Sequence, residues 1–276
     1  MDQYSSPSHD SSYFRFGFNN PNFADTTRNH FIAFLGEFAG TFMFLFFSFI
    51  GNQISNTPSV KPGSDPNLVA LTFSSLAFGA SLAVNVWVFY RVTGGLFNPA
   101  VALALCLVGA IGPIRAAVMF VAQIVAGIAA AGVVSALFPG PLACRTTLGG
   151  GASISQGLFI EMFLTAQLVV TIIMVAVVKH RSTYLAPIAI GLAMFLAELC
   201  GTYFTGGSLN PARSFGPDVV SAKFTGYHWI YWIGPGLGAL LATAFFYCLK
   251  LLRYQTCNPG QDDDGFEKKK AQMREG

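Results

Sequence analysis

Charged residues are scarce. Only 11% of the 276 residues are Asp, Glu, Lys or Arg, against about 25% in soluble domains. A surface wetted on all sides is hard to build from so few. The five cysteines, Cys106, Cys144, Cys200, Cys248 and Cys257, are scattered, odd in number and free of any C-x-x-C spacing. That excludes a disulfide framework and a cysteine-based zinc site. The chain has no N-x-[ST] acceptor, no phosphate-binding glycine loop, no nucleophile–base pair and no metal-ligand cluster. It therefore reads as neither an enzyme nor a cofactor or metal protein. The first 30 residues are polar, with no compact apolar core followed by a small-residue cleavage site, so they do not read as a secretory signal.

The apolar residues, 53% of the total, fall in long blocks. Residues 31–50, 68–90, 116–138, 154–178, 185–204 and 229–252 each form a run of about 20, the length that crosses a bilayer as a helix. Buried helices of a large soluble protein would show a polar stripe every 3.6 residues, and these do not. Six spans place both termini on one side. With the N-terminus cytoplasmic, that side holds Arg15, Arg28, Arg91, Arg115, Lys179, Arg181, Arg253 and the lysines at 268–270; the other holds Lys61, Arg145 and Lys223. The asymmetry predicts both termini inside. The net charge of +3 is then an insertion signal and no evidence for nucleic-acid binding.

The chain repeats one pattern. Gly94 to Val101 reads GGLFNPAV, and Gly206 to Arg213 reads GGSLNPAR. Upstream, Glu37 with Thr41 matches Glu161 with Thr165. A glutamate span, a second span, a Gly-Gly-x-x-Asn-Pro-Ala element and a third span occur twice. Three spans per half is odd, so the second copy must enter the membrane from the opposite face, as in transport proteins with a midplane site. The segment after each tripeptide is too short to cross. Asn98 to Gly109 would give a helix of about 18 Å, roughly half the hydrocarbon thickness. Each is expected to be a re-entrant half-helix, tolerated only where it is buried in protein or lines a wet cavity.

The residues suit such a site. Asn98 and Asn210 are good N-caps, Pro99 and Pro211 fit the first helical position, and Ala100 and Ala212 continue the helix. With the side-chain oxygen capping its own helix, each amide NH2 is expected to be free to donate into a cavity. Both helix N-termini carry partial positive charge and aim at one point, repelling cations and protons. One Asn-Pro-Ala tripeptide would be an ordinary helix start; two in matched settings are not.

These paired motifs, the two span glutamates and the run NPARSFGP resemble the major intrinsic protein family, the aquaporins, and most of all its fungal members. The resemblance covers roughly residues 31–252. It implies an all-α membrane protein of six tilted transmembrane helices plus two re-entrant half-helices, one pore per subunit and a homotetramer. By position, the family's outer filter falls on Arg213, Phe78, Gly207 and Glu198. Water-selective members usually carry histidine, and glycerol facilitators glycine, where this chain has Glu198. No histidine lies between Leu185 and Arg213. Tyr231-Trp232 and Ser214 lean towards the water type; Asp218 is ambiguous. Glu198 has three readings: paired with Arg213, protonated as a neutral donor, or turned aside to satisfy backbone donors and leave a gap opposite Gly207. Glu37 and Glu161 are implied to be acceptors that hold the loop backbones.

The expected activity is passive water conduction that excludes ions and protons, with hydrogen peroxide or other small neutral solutes as further cargo. The alternatives are a broader facilitator for glycerol, urea or ammonia, and a membrane-junction or scaffold protein with a slow or closed pore. The expected organisation is an N-terminal cytoplasmic tail over residues 1–30, a channel domain over 31–252 with repeats at 31–138 and 154–252, and a disordered tail over 253–276, in the plasma membrane. The loop around Cys144 and the Gly149–Gly151 run is expected on the outer face and carries no motif. His180 lies in a cytoplasmic turn. The aromatic-rich N-terminal segment is either a disordered arm or a plug, as in some yeast relatives, with Tyr4 and Tyr13 the candidate gate residues. If it is a plug, deleting residues 1–29 raises water permeability; unchanged permeability and unchanged pressure response rule the plug out.

Overall fold

The computed structural model describes residues 21–55 and 66–258, with side chains from residue 26 onward. Tyr4 and Tyr13 lie outside the described residues. Among the described residues eight α-helices follow one another: α1 Pro21–Ser55, α2 Leu68–Phe89, α3 Pro99–Leu107, α4 Pro113–Leu137, α5 Ile154–Ile172, α6 Ala186–Thr205, α7 Pro211–Val220 and α8 Ile230–Leu251. A turn of π-helix, Ile173–Val177, extends α5. Six helices are long and apolar enough to cross a membrane, at Thr26–Ser55, Leu68–Phe89, Pro113–Leu137, Ile154–Val177, Thr183–Thr205 and Ile230–Leu251. Helix α1 begins at Pro21, well before residue 31, where the sequence put the first span. At the other end, α8 is followed by a single 3₁₀ turn, Tyr254–Thr256.

Local signals fix several ends. Asn67 caps α2 by accepting from the Ala70 N–H at 3.1 Å. Ser153 and Gln156 form a reciprocal capping box at the start of α5, and a cap of this kind is worth about 1 kcal/mol. Helix α6 stops at Gly206, whose left-handed φ of 83° lets its N–H close back on the Thr202 carbonyl at 3.0 Å.

The packing repeats as the sequence does. α1 packs on α2 and α4, and α5 packs on α6 and α8. α2 meets α6, the matching helix of the other half. The short helices are exchanged: α7 rests on α4 and α3 on α8. At the α2–α6 crossing Gly79 and Gly191 face each other. A Cβ on Gly79 would lie 2.7 Å from the Gly191 carbonyl oxygen, and one on Gly191 would lie 2.6 Å from that of Gly79. Small residues permit this backbone contact, which is how helices pack where lipid removes the hydrophobic driving force.

Polarity runs inside out. Glu37, Thr41, Ser48, Ser74, Ser75, Gln123, Glu161, Thr165 and Thr205 are fully buried, whereas Phe31, Leu35, Phe47, Val69, Leu76, Phe163, Leu192 and Leu251 are exposed. An apolar perimeter around an apolar core that also holds this many buried polar groups suits lipid outside and hydrogen-bonded partners inside. Interior bonds also tie helices together: the Ser81 hydroxyl donates to the Phe44 carbonyl at 2.8 Å, joining α2 to α1. Replacing Gly191 by Val should force α2 and α6 apart and destabilise the bundle by about 1–3 kcal/mol or more. A lowered thermal midpoint in detergent would register this, and an unchanged midpoint would contradict the close crossing.

Candidate pore

Helices α3 and α7 start at the two asparagines. Asn98 has extended backbone (φ −152°, ψ 121°), as has Asn210 (φ −149°, ψ 110°), and a proline follows each. The Asn98 Oδ1 accepts from the Ala100 N–H at 2.8 Å. The Asn210 Oδ1 accepts from Ala212 at 2.9 Å and from Arg213 at 3.3 Å. The two NH2 groups are not wholly free, as the sequence had suggested. Asn98 Nδ2 donates to the Leu209 carbonyl at 2.7 Å, and Asn210 Nδ2 donates to the Phe97 carbonyl at 2.8 Å. Each carbonyl belongs to the residue just before the opposite asparagine. Phe97 and Leu209 both take φ of 52°, a left-handed conformation that costs a non-glycine residue about 1–3 kcal/mol and turns its carbonyl out of line with the helix that follows. The crossed bonds join the two half-helices end to end and leave each amide one hydrogen for a further acceptor.

The loops before the tripeptides are held by the two glutamates. Glu37 accepts from the Leu96 N–H at 3.1 Å, the Phe97 N–H at 2.9 Å and Gln123 Nε2 at 2.7 Å. Glu161 accepts from the Ser208 N–H at 2.9 Å, the Leu209 N–H at 2.7 Å and the Thr205 hydroxyl at 2.6 Å. Non-helical backbone has no intrahelical acceptor for these amides, and a buried unpaired N–H costs about 1–3 kcal/mol. Gln123, on α4, escaped the sequence reading because a single glutamine in an apolar run carries no motif.

Arg213 is 1% exposed. Its Nη1 donates to the Cys144 carbonyl at 2.5 Å and its Nη2 to the Gly206 carbonyl at 3.1 Å. The guanidinium carbon lies 4.9 Å from the Phe78 ring centre and 5.7 Å from that of Phe49, a cation–π setting worth about 0.5–2 kcal/mol. Arg213 Nε and Glu198 Oε1 are buried without a partner among the described residues. Glu198 Oε2 accepts the Thr202 hydroxyl at 2.6 Å.

Two expectations change here. No direct ion pair joins Glu198 to Arg213 among the described residues; Arg213 Nη1 and Nη2 go to loop carbonyls instead. Nor does Gly207 leave a gap: it sits at φ 61°, and a Cβ there would overlap the Glu198 carboxylate and Thr202. Glu198 fills that space and takes a hydroxyl rather than backbone donors.

Inward of this region, a cavity of about 10 Å³ is lined by Asn98, Asn210, Phe44, Leu82, Leu168, Ile172, Ile190 and Met194. That is room for about one water. A larger groove of about 650 Å³ lies between α5 and α6, lined by Phe159, Phe163, Cys200 and Phe204, and touches neither asparagine. Tyr231 is buried, its hydroxyl donating to the Thr205 carbonyl at 2.8 Å, and Trp232 Nε1 donates to His228 Nε2 at 3.1 Å. His180 Nδ1 accepts from the Ser182 N–H at 3.1 Å within its own turn.

An inverted repeat of long apolar helices, with two short helices meeting through their asparagine starts beside a small cavity, is the architecture of a multi-pass membrane channel. The chain belongs to the major intrinsic protein family, whose model matches residues 25–247; these are channels and not enzymes. Among fungal relatives, the chain is 61% identical over 243 residues to Aquaporin-7 of Botryotinia fuckeliana, covering 86% of this chain and 53% of that protein. It is 56% identical over 247 residues to Aquaporin-1 of Gibberella zeae, covering 88% of this chain and 77% of that one. The chain thus spans about half the length of the first relative. The solved aquaglyceroporin from Plasmodium falciparum shares the fold, with a TM-score of 0.67 at 22% identity, covering 79% of this chain and 95% of that one.

Burial pushes the Cys144 thiol up to about 12, with the nearby Arg213 charge only partly opposing it. Thiolate is the reactive form, so Cys144 should stay unlabelled by maleimide at pH 8 in the folded protein and label once unfolded. The exposed Cys200, Cys248 and Cys257, changed to serine together with Cys106, remove the background. Rapid labelling of folded protein would contradict the packing of this loop.

Proposed function

We propose that the protein is a passive, bidirectional water channel that excludes ions and protons, with one pore per subunit of a homotetramer and both termini cytoplasmic, in the plasma membrane. The observation that carries this reading is the crossed pair of asparagine bonds beside a cavity with room for about one water. Water in single file accepts from the remaining amide hydrogens of Asn98 and Asn210 and from Arg213, and donates to loop carbonyls. The positive ends of α3 and α7 face each other across this point, so a cation meets two like poles. The same poles orient a water oxygen towards the asparagines, turning neighbouring waters in opposite senses and interrupting a proton wire. Arg213, with no carboxylate at ion-pair distance among the described residues, adds a further positive barrier.

One observation favours a wider solute range. Glu198 puts an unpartnered carboxylate oxygen where water-type relatives are expected to carry histidine. An acceptor there suits solutes that donate hydrogen bonds, hydrogen peroxide among the smallest. The solved relative described as an aquaglyceroporin makes glycerol the natural second probe.

Stopped-flow light scattering on proteoliposomes tests the proposal. The expected result is fast shrinkage in impermeant osmolyte without re-swelling in glycerol. Re-swelling in glycerol would move the reading to a facilitator, and lipid-like rates for every solute would overturn conduction and leave the scaffold. Replacing Glu198 by Gln or His should alter the ranking of peroxide against water if the carboxylate sets it.

A further inference from the structure

Three consecutive residues of the loop between α4 and α5 bond to the segment that carries Arg213. The Cys144 carbonyl takes Arg213 Nη1 at 2.5 Å. Arg145 Nε donates to Asp218 Oδ1 at 2.6 Å, and its Nη2 donates to the Lys223 carbonyl at 2.8 Å. The Thr146 hydroxyl donates to Ser214 Oγ at 2.9 Å. Asp218 is fully buried, and its second oxygen is engaged by His228 Nδ1 at 2.8 Å. Both oxygens of Asp218 are therefore committed, and a buried carboxylate left with one partner is strongly unfavourable.

The covalent geometry links these contacts. The Cys144 carbonyl and the Arg145 nitrogen belong to one rigid peptide plane. Anchoring the Arg145 side chain therefore restrains the loop backbone that carries that carbonyl. Among the described residues Arg213 has no carboxylate partner to hold it; its Nη1 and Nη2 rest on the carbonyls of Cys144 and Gly206, and Nε has none. Its tilt against Phe78 is thus set by where the loop carbonyl sits.

We propose that Arg145 and Asp218 are positioning residues for pore selectivity: their ion pair clasps the outer loop onto α7 and aims the Cys144 carbonyl that holds Arg213 across the filter. This rests on the reading that Arg213 lines a water-conducting pore. Releasing the clasp frees Nη1, lets the guanidinium swing from Phe78 and widens the opening. Neither residue touches the solute; both act through Arg213.

The test compares water and glycerol permeability in proteoliposomes of the full chain. Arg145→Gln and Asp218→Asn should keep water permeability within about twofold of wild type and raise the glycerol-to-water ratio about tenfold, the scale of one lost hydrogen bond to a charged group. The double variant should match the single ones, because the pair acts as a unit. Arg145→Lys, which keeps a charge for Asp218, should recover most of the wild-type ratio. A merely structural role would lower both permeabilities together and leave the ratio alone. An unchanged ratio in Arg145→Gln with water flux retained overturns the clasp. If that variant fails to assemble, the nearly isosteric Asp218→Asn, which removes the charge that Arg145 Nε donates to, decides: a raised ratio supports the clasp, and an unchanged ratio overturns it. Wild-type protein that moves no water overturns instead the water-channel reading.

Discussion

Non-helical backbone inside an apolar bundle must find acceptors for its amides without help from bulk water. The chain breaks its helices twice, before Asn98 and before Asn210, and the rest of the interior answers that demand. Glu37 and Glu161 each take two loop N–H groups. Gln123 and Thr205 then bond the same carboxylates, and Thr93 and Thr205 take the N–H of the second glycine in each loop, at 3.1 and 3.2 Å. The crossed asparagine bonds close the arrangement by joining the half-helices to each other. Two carboxylates deep in the bundle would be costly alone; surrounded by donors, they form the scaffold on which the loops are shaped.

The same logic governs Arg213. A guanidinium buried beside Phe78 and Phe49 is helped by loop carbonyls that accept from Nη1 and Nη2. Carbonyl partners neutralise less than a carboxylate would, so more of the positive field is left to act on what passes. Fixing those carbonyls matters as much as the arginine. The outer loop, with its buried Cys144 and Thr146, belongs to the site although it lies outside the helices. The larger α5–α6 groove borders the far end of this loop, at Gly150–Ala152, and touches neither Cys144 nor Arg213.

Much of this architecture was legible in the chain because it is written in repeats and lengths. Six apolar runs, two Gly-Gly-x-x-Asn-Pro-Ala elements and two span glutamates specify an inverted bundle with two short helices. What escaped the sequence is carried by backbone atoms. The Phe97 and Leu209 carbonyls that accept from the opposite asparagines leave no side-chain signature, so the amides looked free. The Cys144 carbonyl is equally silent, and its loop seemed uninformative. Asp218 was ambiguous as a marker of water or glycerol type, and its contacts with Arg145, 73 residues away, and His228, ten residues away, leave no motif. Gly207 suggested open space because a missing side chain does not reveal which neighbour fills the place; here it is Glu198. The early start of α1 was missed because residues 21–30 are polar and lie beyond the apolar run.

The central claim is that the two half-helices meet through crossed asparagine–carbonyl bonds. Solid-state NMR in bilayers can measure the distance from the Asn98 side-chain nitrogen to the carbonyl carbon of Leu209, and from Asn210 to that of Phe97. Hydrogen-bond geometry requires both to be about 4 Å or less. Two short distances of equal size are the predicted result. A value beyond about 6 Å for either pair would mean that no such bond forms, and the account of how the pore is closed to all but a narrow file would be contradicted.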